Sequence, residues 1–166
     1  MHEIEKQEIV LRRPVSEDGV ALFRLIQHCP PLDVNSLYCN LLHCSHFAGT
    51  SVAAVERDEL AGFISGYIIP EQPDTLFIWQ VAVSEKARGL GLATRMLKHI
   101  LQRPHCADIA FLETTITGDN RASWALFEGF AAKIPAAVST SVMFDRELHF
   151  AGRHETEQRV RIGPLP

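Results

Sequence analysis

The sequence predicts an α/β fold with a mixed central sheet flanked by helices. Strand-like and helix-like segments alternate along the chain, and the early strands are joined by short turns typical of antiparallel hairpins. The stretch Thr75–Val83 is apolar on both faces, as in a central strand that is covered on both sides. With 166 residues, of which 46 % are apolar and 22 % charged, the chain fits one compact domain over residues 1–166.

The first elements are a strand and a helix. Residues 8–13 are predicted as a strand, which Pro14 ends. Ser16 is the predicted N-cap of the helix, and Pro30 with Pro31 marks its end. The inward-facing residues of this helix are predicted to be Val20, Leu22, Phe23, Leu25 and Ile26.

The middle of the chain is predicted to form a second helix and three strands. The helix follows Asp33, a good N-cap, and its spacing makes Tyr38 a candidate core aromatic residue. The strands cover residues 50–56, residues 60–69 and Thr75–Val83, with short polar or proline-containing turns between them.

The second half repeats helix and strand patterns. A helix is predicted over residues 89–102, with a buried stripe formed by Ala93, Met96, Leu97, Ile100 and Leu101. A strand over residues 109–116, a helix over 120–132 and one or two strands within 138–150 follow. The tail, residues 153–166, is polar and ends in a short β-like stretch at 159–162.

Composition excludes several classes of function. The net charge of −4 argues against sequence-independent binding to nucleic acid. No apolar run is long enough to cross a bilayer, and the acidic N-terminus lacks a signal-peptide pattern. The four cysteines show no Cys-x-x-Cys spacing, so we expect reduced thiols and a cytoplasmic protein.

The most informative stretch is the turn Arg88-Gly89-Leu90-Gly91-Leu92-Ala93, which lies between a predicted strand and a predicted helix. Helix N-termini carry unpaired N–H groups and partial positive charge, so they attract phosphate. Gly89 and Gly91 remove side chains that would keep phosphate oxygens away, and Arg88 adds a cation. Ala93 is small enough for close approach. The turn therefore predicts a pyrophosphate cradle.

Three other interpretations of this turn are possible. A Rossmann dinucleotide site needs a third glycine, but Thr94 stands there, and the acidic Glu113 falls within a strand rather than at its end. A Walker-type loop needs Gly-Lys-Ser/Thr, which is missing. A glycine-softened turn without a ligand remains the third possibility.

Two motifs resemble the GCN5-related N-acetyltransferase (GNAT) superfamily. Val81-Ala82-Val83 followed by the Arg88–Ala93 turn is similar to its Arg/Gln-x-x-Gly-x-Gly/Ala motif, and Asn120 and Phe127 fall where the family opens its next helix beside coenzyme A. The resemblance implies a GNAT-like domain whose sheet is splayed at the coenzyme site. It also implies that the main chain of Val81 and Val83 pairs with pantetheine, that acetyl-CoA is the co-substrate and that no metal is needed.

Longer segments resemble one branch of this superfamily, the diaminobutyrate acetyltransferases of ectoine biosynthesis. The similarity spans about residues 30–165, and its segments include Trp79-Gln80-Val81-Ala82-Val83, Leu112-Glu113-Thr114-Thr115 and His154-Glu155. It implies direct transfer of acetyl to the γ-amino group of L-2,4-diaminobutyrate in a ternary complex, by a homodimer. Acetylation of another small amine, or a coenzyme A-binding regulatory module without turnover, are the alternatives.

The resemblance suggests roles for several polar and aromatic residues. Glu113 is the candidate for accepting the proton of the ammonium group or for binding that group, and an ordinary salt-bridged glutamate is the alternative. Asp33 is a candidate ligand of the cationic substrate, and Trp79 would pack on its methylenes and cation. In the tail, 153–166, which could fold over the acceptor site, His154 would contact the α-carboxylate; the alternative is a solvated segment.

One position departs from the superfamily pattern. Many relatives have a tyrosine that protonates the leaving thiolate, whereas this chain has Phe127, which has no proton to donate. Tyr38 is the candidate replacement, and the alternative is that the thiolate leaves without a proton donor. Cys39, His43 and His46, spaced i, i+4 and i+7, are a possible metal site, and helix packing is the favoured interpretation.

Overall fold

The computed structural model describes residues 8–166, and these form one mixed, seven-stranded sheet with four α-helices. The strands are β1 (Val10–Arg12), β2 (Val52–Glu56), β3 (Glu59–Ile68), β4 (Thr75–Val83), β5 (Phe111–Thr117), β6 (Val138–Phe144) and β7 (Glu157–Ile162). The helices are α1 (Gly19–Gln27), α2 (Leu37–His43), α3 (Leu92–Leu101) and α4 (Arg121–Lys133). None of the helices in residues 8–166 is long and apolar enough to span a bilayer.

The strand order in the sheet is β1-β2-β3-β4-β5-β7-β6. Strands β1, β2 and β3 are antiparallel neighbours, β4 and β5 are parallel, and β7 is antiparallel to both β5 and β6. The predicted mixed sheet with hairpins first is therefore confirmed. The β-like end of the tail is β7, which lies inside the sheet, so the order of this polar segment comes from long-range pairing that local sequence does not reveal.

The chain divides into two compact units, the first made of the described residues up to Ser65 with Gln80–Ile100, the second of Gly66–Trp79 with Leu101–Pro166. Each unit has its own buried apolar residues. In the first unit the core cluster is Leu22, Leu25, Ile26, Cys29, Cys44, Ala53, Phe63 and Ala82. In the second unit, alternate residues of the strands are fully buried: Leu76, Ile78, Leu112, Ile116, Val160 and Ile162. Each such side chain contributes about 1.5–3 kcal/mol by leaving water.

The first helix begins differently from its prediction. Ser16 does not cap it, because Ser16–Asp18 form a short 3₁₀ turn ahead of α1. Asp18 occupies the N-cap position of α1 without a side-chain capping bond. Its carboxylate instead accepts the N–H of Val15 at 2.8 Å and a bidentate pair of hydrogen bonds from Arg12 at 2.7 and 2.8 Å. The predicted inward position of Val20 is also wrong, since Val20 is 46 % exposed.

Helix α2 also starts later than predicted. Its N-cap is Ser36, whose Oγ accepts the N–H of Cys39 at 3.1 Å, so the predicted capping by Asp33 is wrong. Tyr38 is 71 % exposed, which excludes the alternative that it is a core aromatic residue. Asp33 lies three residues before the cap, in an irregular stretch that joins α1 to α2.

Candidate active site

The predicted phosphate cradle is a turn with two glycines in left-handed conformations. Gly89 has φ +77° and Gly91 has φ +71°, and a Cβ built on either would meet no atom within 4 Å. The helix proper begins at Leu92, not at Gly89 as predicted, and the N–H of Arg95 already bonds to the carbonyl of Gly91 at 3.2 Å. Open space beside the N-terminal N–H groups of a ten-residue helix suits a pyrophosphate group. The residues present therefore fit coenzyme A.

Arg88 is held at the entry of the cradle by the strand that precedes it. Its Nε donates to the carbonyl of Val83 at 3.2 Å, and the Sγ of buried Cys29 donates to the same oxygen at 3.4 Å. The Arg88 side chain is exposed, and the fork of its two terminal nitrogens is the part that recognises phosphate oxygens. Because the Val83 carbonyl already accepts from two donors, a pantetheine contact at Val83 would use its N–H.

Strand β4 is paired on its β5 side over only part of its length. The parallel ladder runs from Thr75 opposite Phe111 to Ile78 opposite Thr114, whereas β4 continues to Val83. The predicted pantetheine-binding residues Val81 and Val83 lie beyond the end of this ladder. Unpaired main-chain groups at a strand edge are the groups that an extended amide ligand pairs with.

The other predicted coenzyme-binding residues lie on helices. Ala93 is half-buried in the first turn of α3. Asn120 is the N-cap of α4, and its Oδ1 accepts the N–H of Ser123 at 3.2 Å. Phe127 is only 2 % exposed and belongs to the buried face of α4. A contact between these three residues and coenzyme A stays a prediction.

Glu113 is a buried carboxylate held between two arginines of β7. Its Oε2 accepts from Arg161 at 2.9 Å, and its Oε1 lies 3.0 Å from the Nε of Arg159, as an ion pair without the alignment of a hydrogen bond. Arg161 stands directly opposite Glu113 in the β5–β7 ladder and also reaches the hydroxyl of Thr75 at 3.3 Å. Glu113 is thus a salt-bridged glutamate, which was one of the two predicted alternatives. Its role in binding or deprotonating the ammonium group stays a prediction.

Trp79 belongs to an aromatic group of the second unit, on the face of the sheet that carries Glu113. Its ring is 43 % exposed and contacts Tyr67 edge to face, with 6.4 Å between ring centroids. Tyr67 also lies 5.3 Å from Phe77. Burial raises the pKa of the Tyr67 hydroxyl, and the negative charge of Glu113 adds to that rise. The group offers an apolar surface that suits methylenes or a cation.

Local sequence patterns do not indicate the parts that Tyr67, Arg159 and Arg161 play around Trp79 and Glu113. The available signal was the spacing of the two arginines, which alternate with apolar residues and so must share one side of a strand. Nothing in the sequence, however, states that this strand pairs with the one that carries Glu113. The partners of Glu113 therefore follow only from the register of β5 against β7.

His154 lies in an ordered turn before β7. Its Nδ1 is 2.6 Å from the carbonyl of Glu155, its Nε2 is 3.8 Å from Glu157, and its ring stacks on Phe150 with 4.5 Å between centroids. The segment is anchored by Arg146, which pairs with Glu155 at 2.8 Å. The alternative of a loosely solvated tail is thus not what the structure shows, and the contact of His154 with a substrate carboxylate stays a prediction.

The helix face weighed for metal binding is a packed one. Cys39 Sγ lies 3.7 Å from His43 Nε2, and burial lowers the pKa of His43 to about 4. His43 is 1 % exposed, whereas His46 is exposed. Within residues 8–166, no three His, Cys, Asp or Glu side chains are grouped so as to hold a metal ion.

Comparison with known proteins adds a family to this geometry. The model of the acetyltransferase (GNAT) family matches residues 20–131, which include the cradle and Glu113. The chain is 62 % identical over 157 residues to the L-2,4-diaminobutyric acid acetyltransferase of Methylotuvimicrobium alcaliphilum, covering 95 % of this chain and 91 % of that protein. It is 51 % identical to the enzyme of the same name from Vibrio cholerae, over 92 % of this chain and 88 % of that one.

A solved structure agrees over the same length. The diaminobutyrate acetyltransferase EctA from Paenibacillus lautus, in complex with its substrate L-2,4-diaminobutyric acid and coenzyme A, is 37 % identical and superposes with a TM-score of 0.90. The match covers 95 % of this chain and 96 % of that one. Sequence and fold agree over nearly all of both chains. The chain therefore belongs to the acetyltransferase (GNAT) family and, within it, to the L-2,4-diaminobutyric acid acetyltransferases.

Proposed function

We propose that the protein transfers the acetyl group of acetyl-CoA to the γ-amino nitrogen of L-2,4-diaminobutyrate, giving N4-acetyl-L-2,4-diaminobutyrate for ectoine biosynthesis. The observation that carries this proposal is the whole-length agreement with a structure that holds diaminobutyrate and coenzyme A. The open glycine cradle with an arginine at its entry supports the coenzyme half of the proposal.

The proposed pyrophosphate and pantetheine contacts come from residues of the first unit. The N–H groups at the start of α3 and the Arg88 guanidinium hold the pyrophosphate, and Gly89 and Gly91 leave room for it. Main-chain groups of Val81 and Val83 pair with the pantetheine amides. Acetyl-CoA supplies the acetyl group as an activated thioester. Ala93, Asn120 and Phe127 line the rest of the coenzyme site in this proposal.

The acceptor amine must be bound, oriented and deprotonated. An amine of this kind is an ammonium ion at neutral pH and attacks only after losing a proton. Asp33 attracts the cationic acceptor, Trp79 packs on its methylenes, and His154 contacts its α-carboxylate. Glu113, with its arginine partners, sets the charge beside the amine and is the candidate proton acceptor.

In the overall step one C–N bond forms and one C–S bond breaks. The ammonium group loses two protons, of which one ends on the departing thiolate and the other reaches solvent. Phe127 has no proton to give, so Tyr38, whose hydroxyl is on an exposed side chain, is the proposed donor to the thiolate.

The proposed setting is a homodimer in the cytoplasm. The thiols of Cys29, Cys39, Cys44 and Cys106 are free, which is the usual state in a reducing compartment. Strand β6 is an edge strand that exposes Val138, Val142 and Phe144, and apolar edges of this kind are often covered by a second subunit. Light scattering on purified protein measures the subunit number directly.

Product analysis is the decisive test of function. The protein is incubated with acetyl-CoA and diaminobutyrate, free thiol release is followed, and proton NMR identifies which nitrogen carries the acetyl group. We expect the γ-acetyl isomer. Turnover with a polyamine but not with diaminobutyrate would assign another substrate, an α-acetyl product would reverse the proposed orientation, and coenzyme binding without turnover of any amine would indicate a regulatory module.

A further inference from the structure

The side chain of Gln80 ties the loop that carries Asp33 to strand β4. Its Nε2 donates to the main-chain carbonyl of Asp33 at 2.7 Å, and its Oε1 accepts from the Nδ2 of Asn35 at 2.8 Å. A main-chain carbonyl can only accept, so the direction of the first hydrogen bond fixes the orientation of the Gln80 amide. That leaves the Oε1 of Gln80 for Asn35. Two short hydrogen bonds thus join Gln80 to Asn35, 45 positions earlier in the sequence, and to Asp33, 47 positions earlier.

The anchoring residue lies within the sheet, whereas the loop is not part of any helix or strand. Gln80 lies within β4, and its N–H donates to the Oγ of Ser65, a residue of β3 that is 3 % exposed. Residues 33–36, by contrast, are irregular and largely exposed. Ser36 caps α2 and so fixes only the far end of the loop. The hydrogen bond to the Asp33 carbonyl therefore ties the main chain of this loop directly to a residue of the sheet, and the bond from Asn35 ties a second loop residue to the same side chain.

Gln80 lies between two residues that are assigned to the substrate and coenzyme sites. It stands between Trp79, proposed to pack on the acceptor, and Val81, proposed to pair with pantetheine. Successive side chains of a strand point to opposite faces, so Gln80 does not share the face of either neighbour. A polar side chain here that bonds to a distant loop has a positioning role that its neighbours cannot share.

We propose that Gln80 is a positioning residue for the acceptor amine: it fixes the Asp33 loop through the Asp33 carbonyl, and Asn35 locks the Gln80 amide in the required orientation. The proposal rests on the proposed function only in taking Asp33 as an acceptor ligand. Gln80 acts through Asp33 and is not itself a catalytic residue. Misplacing a substrate-orienting group by about 1 Å can lower the rate roughly 100-fold. The effect on stability should be small, because water can replace the hydrogen bonds that a solvent-accessible loop loses.

The experiment compares Gln80→Ala, Gln80→Glu, Asn35→Ala and the double variant Gln80→Ala/Asn35→Ala with the parent. We expect Gln80→Ala to lower kcat/KM for diaminobutyrate at least tenfold, while the Kd for acetyl-CoA changes less than twofold and Tm falls by only a few degrees. Gln80→Glu is nearly isosteric but places an oxygen against the Asp33 carbonyl, so it should be no better than Gln80→Ala. Gln27→Ala, at an exposed glutamine ending α1, is the matched control and should leave all values unchanged.

The double variant tests whether Asn35 acts by orienting the Gln80 amide. If Asn35 acts through Gln80, the double variant should be no worse than Gln80→Ala alone, because residues in one network are not additive. Additive losses, an unchanged kcat/KM in Gln80→Ala, or an equal loss of acetyl-CoA affinity would each overturn the proposal.

Hydrogen exchange of the peptide covering residues 30–36 separates this inference from the proposed function. Faster exchange in Gln80→Ala than in the parent is expected whatever amine the enzyme uses, and unchanged exchange would contradict the anchoring. A parent enzyme without diaminobutyrate turnover would instead remove the proposed function and leave the anchoring result intact.

Discussion

Arg88 donates a hydrogen bond from Nε to the carbonyl of Val83 at 3.2 Å, so the strand end and the phosphate cradle are joined by one side chain. The bond uses the guanidinium edge that phosphate recognition does not need. This hydrogen bond therefore fixes the direction in which the two terminal nitrogens of Arg88 point. Lysine could supply the charge at this position but has no second group with which to hold the strand.

This arrangement predicts an ordered series of coenzyme affinities. A charge-assisted hydrogen bond contributes about 1.5–3 kcal/mol, so Arg88→Ala should weaken coenzyme A binding roughly 10–100-fold. Arg88→Lys should fall between the parent and Arg88→Ala. Isothermal titration with coenzyme A measures the series, and equal affinity for the parent and Arg88→Ala would show that Arg88 does not contact phosphate.

Gly91→Val is predicted to abolish measurable acetyl-CoA binding while the fold persists. The new side chain would occupy the open space beside the α3 N-terminus and would force a β-branched residue into φ +71°. Such strain costs on the order of 1–2 kcal/mol, which lowers Tm without unfolding the domain. Calorimetric titration and thermal melts test both parts.

Gly129→Ala is the matched control for Gly91→Val. Gly129 lies within α4, and a Cβ there meets no atom within 4 Å. Alanine favours a helix by about 0.5–1 kcal/mol over glycine, so this variant should raise Tm slightly and bind acetyl-CoA normally. Retained affinity in Gly91→Val would place the coenzyme elsewhere.

The elements that sequence predicted well are those with local signals. Strand β4 has the predicted bounds, although the expected cover on both faces is incomplete at Phe77, Trp79 and Val81, and Asn120 caps α4 through its own neighbour Ser123. The two cradle glycines were recognisable because close approach of phosphate to helix N–H groups needs residues without Cβ, and the structure adds that both have left-handed conformations.

The errors have one local and one long-range cause. Asp33 was expected to cap α2, but Ser36, an equally suitable N-cap residue three positions on, is the cap, and the carbonyl of Asp33 is bound by Gln80, 47 residues away. The arginine partners of Glu113 come from a strand near the end of the chain, and their position depends on sheet register. Neither contact leaves a mark in the sequence around Asp33 or Glu113, which is why local patterns could not predict them.

Glu113→Gln is predicted to lower turnover with diaminobutyrate at least tenfold while the affinity for acetyl-CoA changes less than twofold. The amide keeps the shape of the carboxylate but removes the charge between Arg159 and Arg161, and these side chains are 40 % and 29 % exposed. Because they keep partial contact with water, the free energy of unfolding should fall only on the order of 1–3 kcal/mol. Steady-state kinetics and chemical denaturation measure the two effects.

Arg161→Gln separates a role in the reaction from a role in the ion pair. It breaks the 2.9 Å contact but leaves the Glu113 carboxylate in place. If Glu113 acts on the amine, Arg161→Gln should lose similar stability but less activity than Glu113→Gln. Equal losses of activity in the two variants would identify Glu113 as a structural ion-pair member.

Burial of His43 predicts an acid-sensitive change in stability that begins near pH 6.5 and extends to about pH 4. Burial lowers the pKa of this histidine from 6.5 to about 4 in the folded state. The unfolded chain then binds more protons than the folded chain between these values, so the free energy of unfolding should fall as pH drops from about 6.5 towards 4 and should not change with this group above 6.5. The full effect is on the order of 3 kcal/mol.

Urea denaturation of the parent and of His43→Gln across pH 4–7 measures this effect, with His46→Gln as the control at an exposed site. We expect a weaker dependence on pH in His43→Gln alone, whereas identical slopes in all three proteins would mean that protonated His43 is accommodated in the folded state.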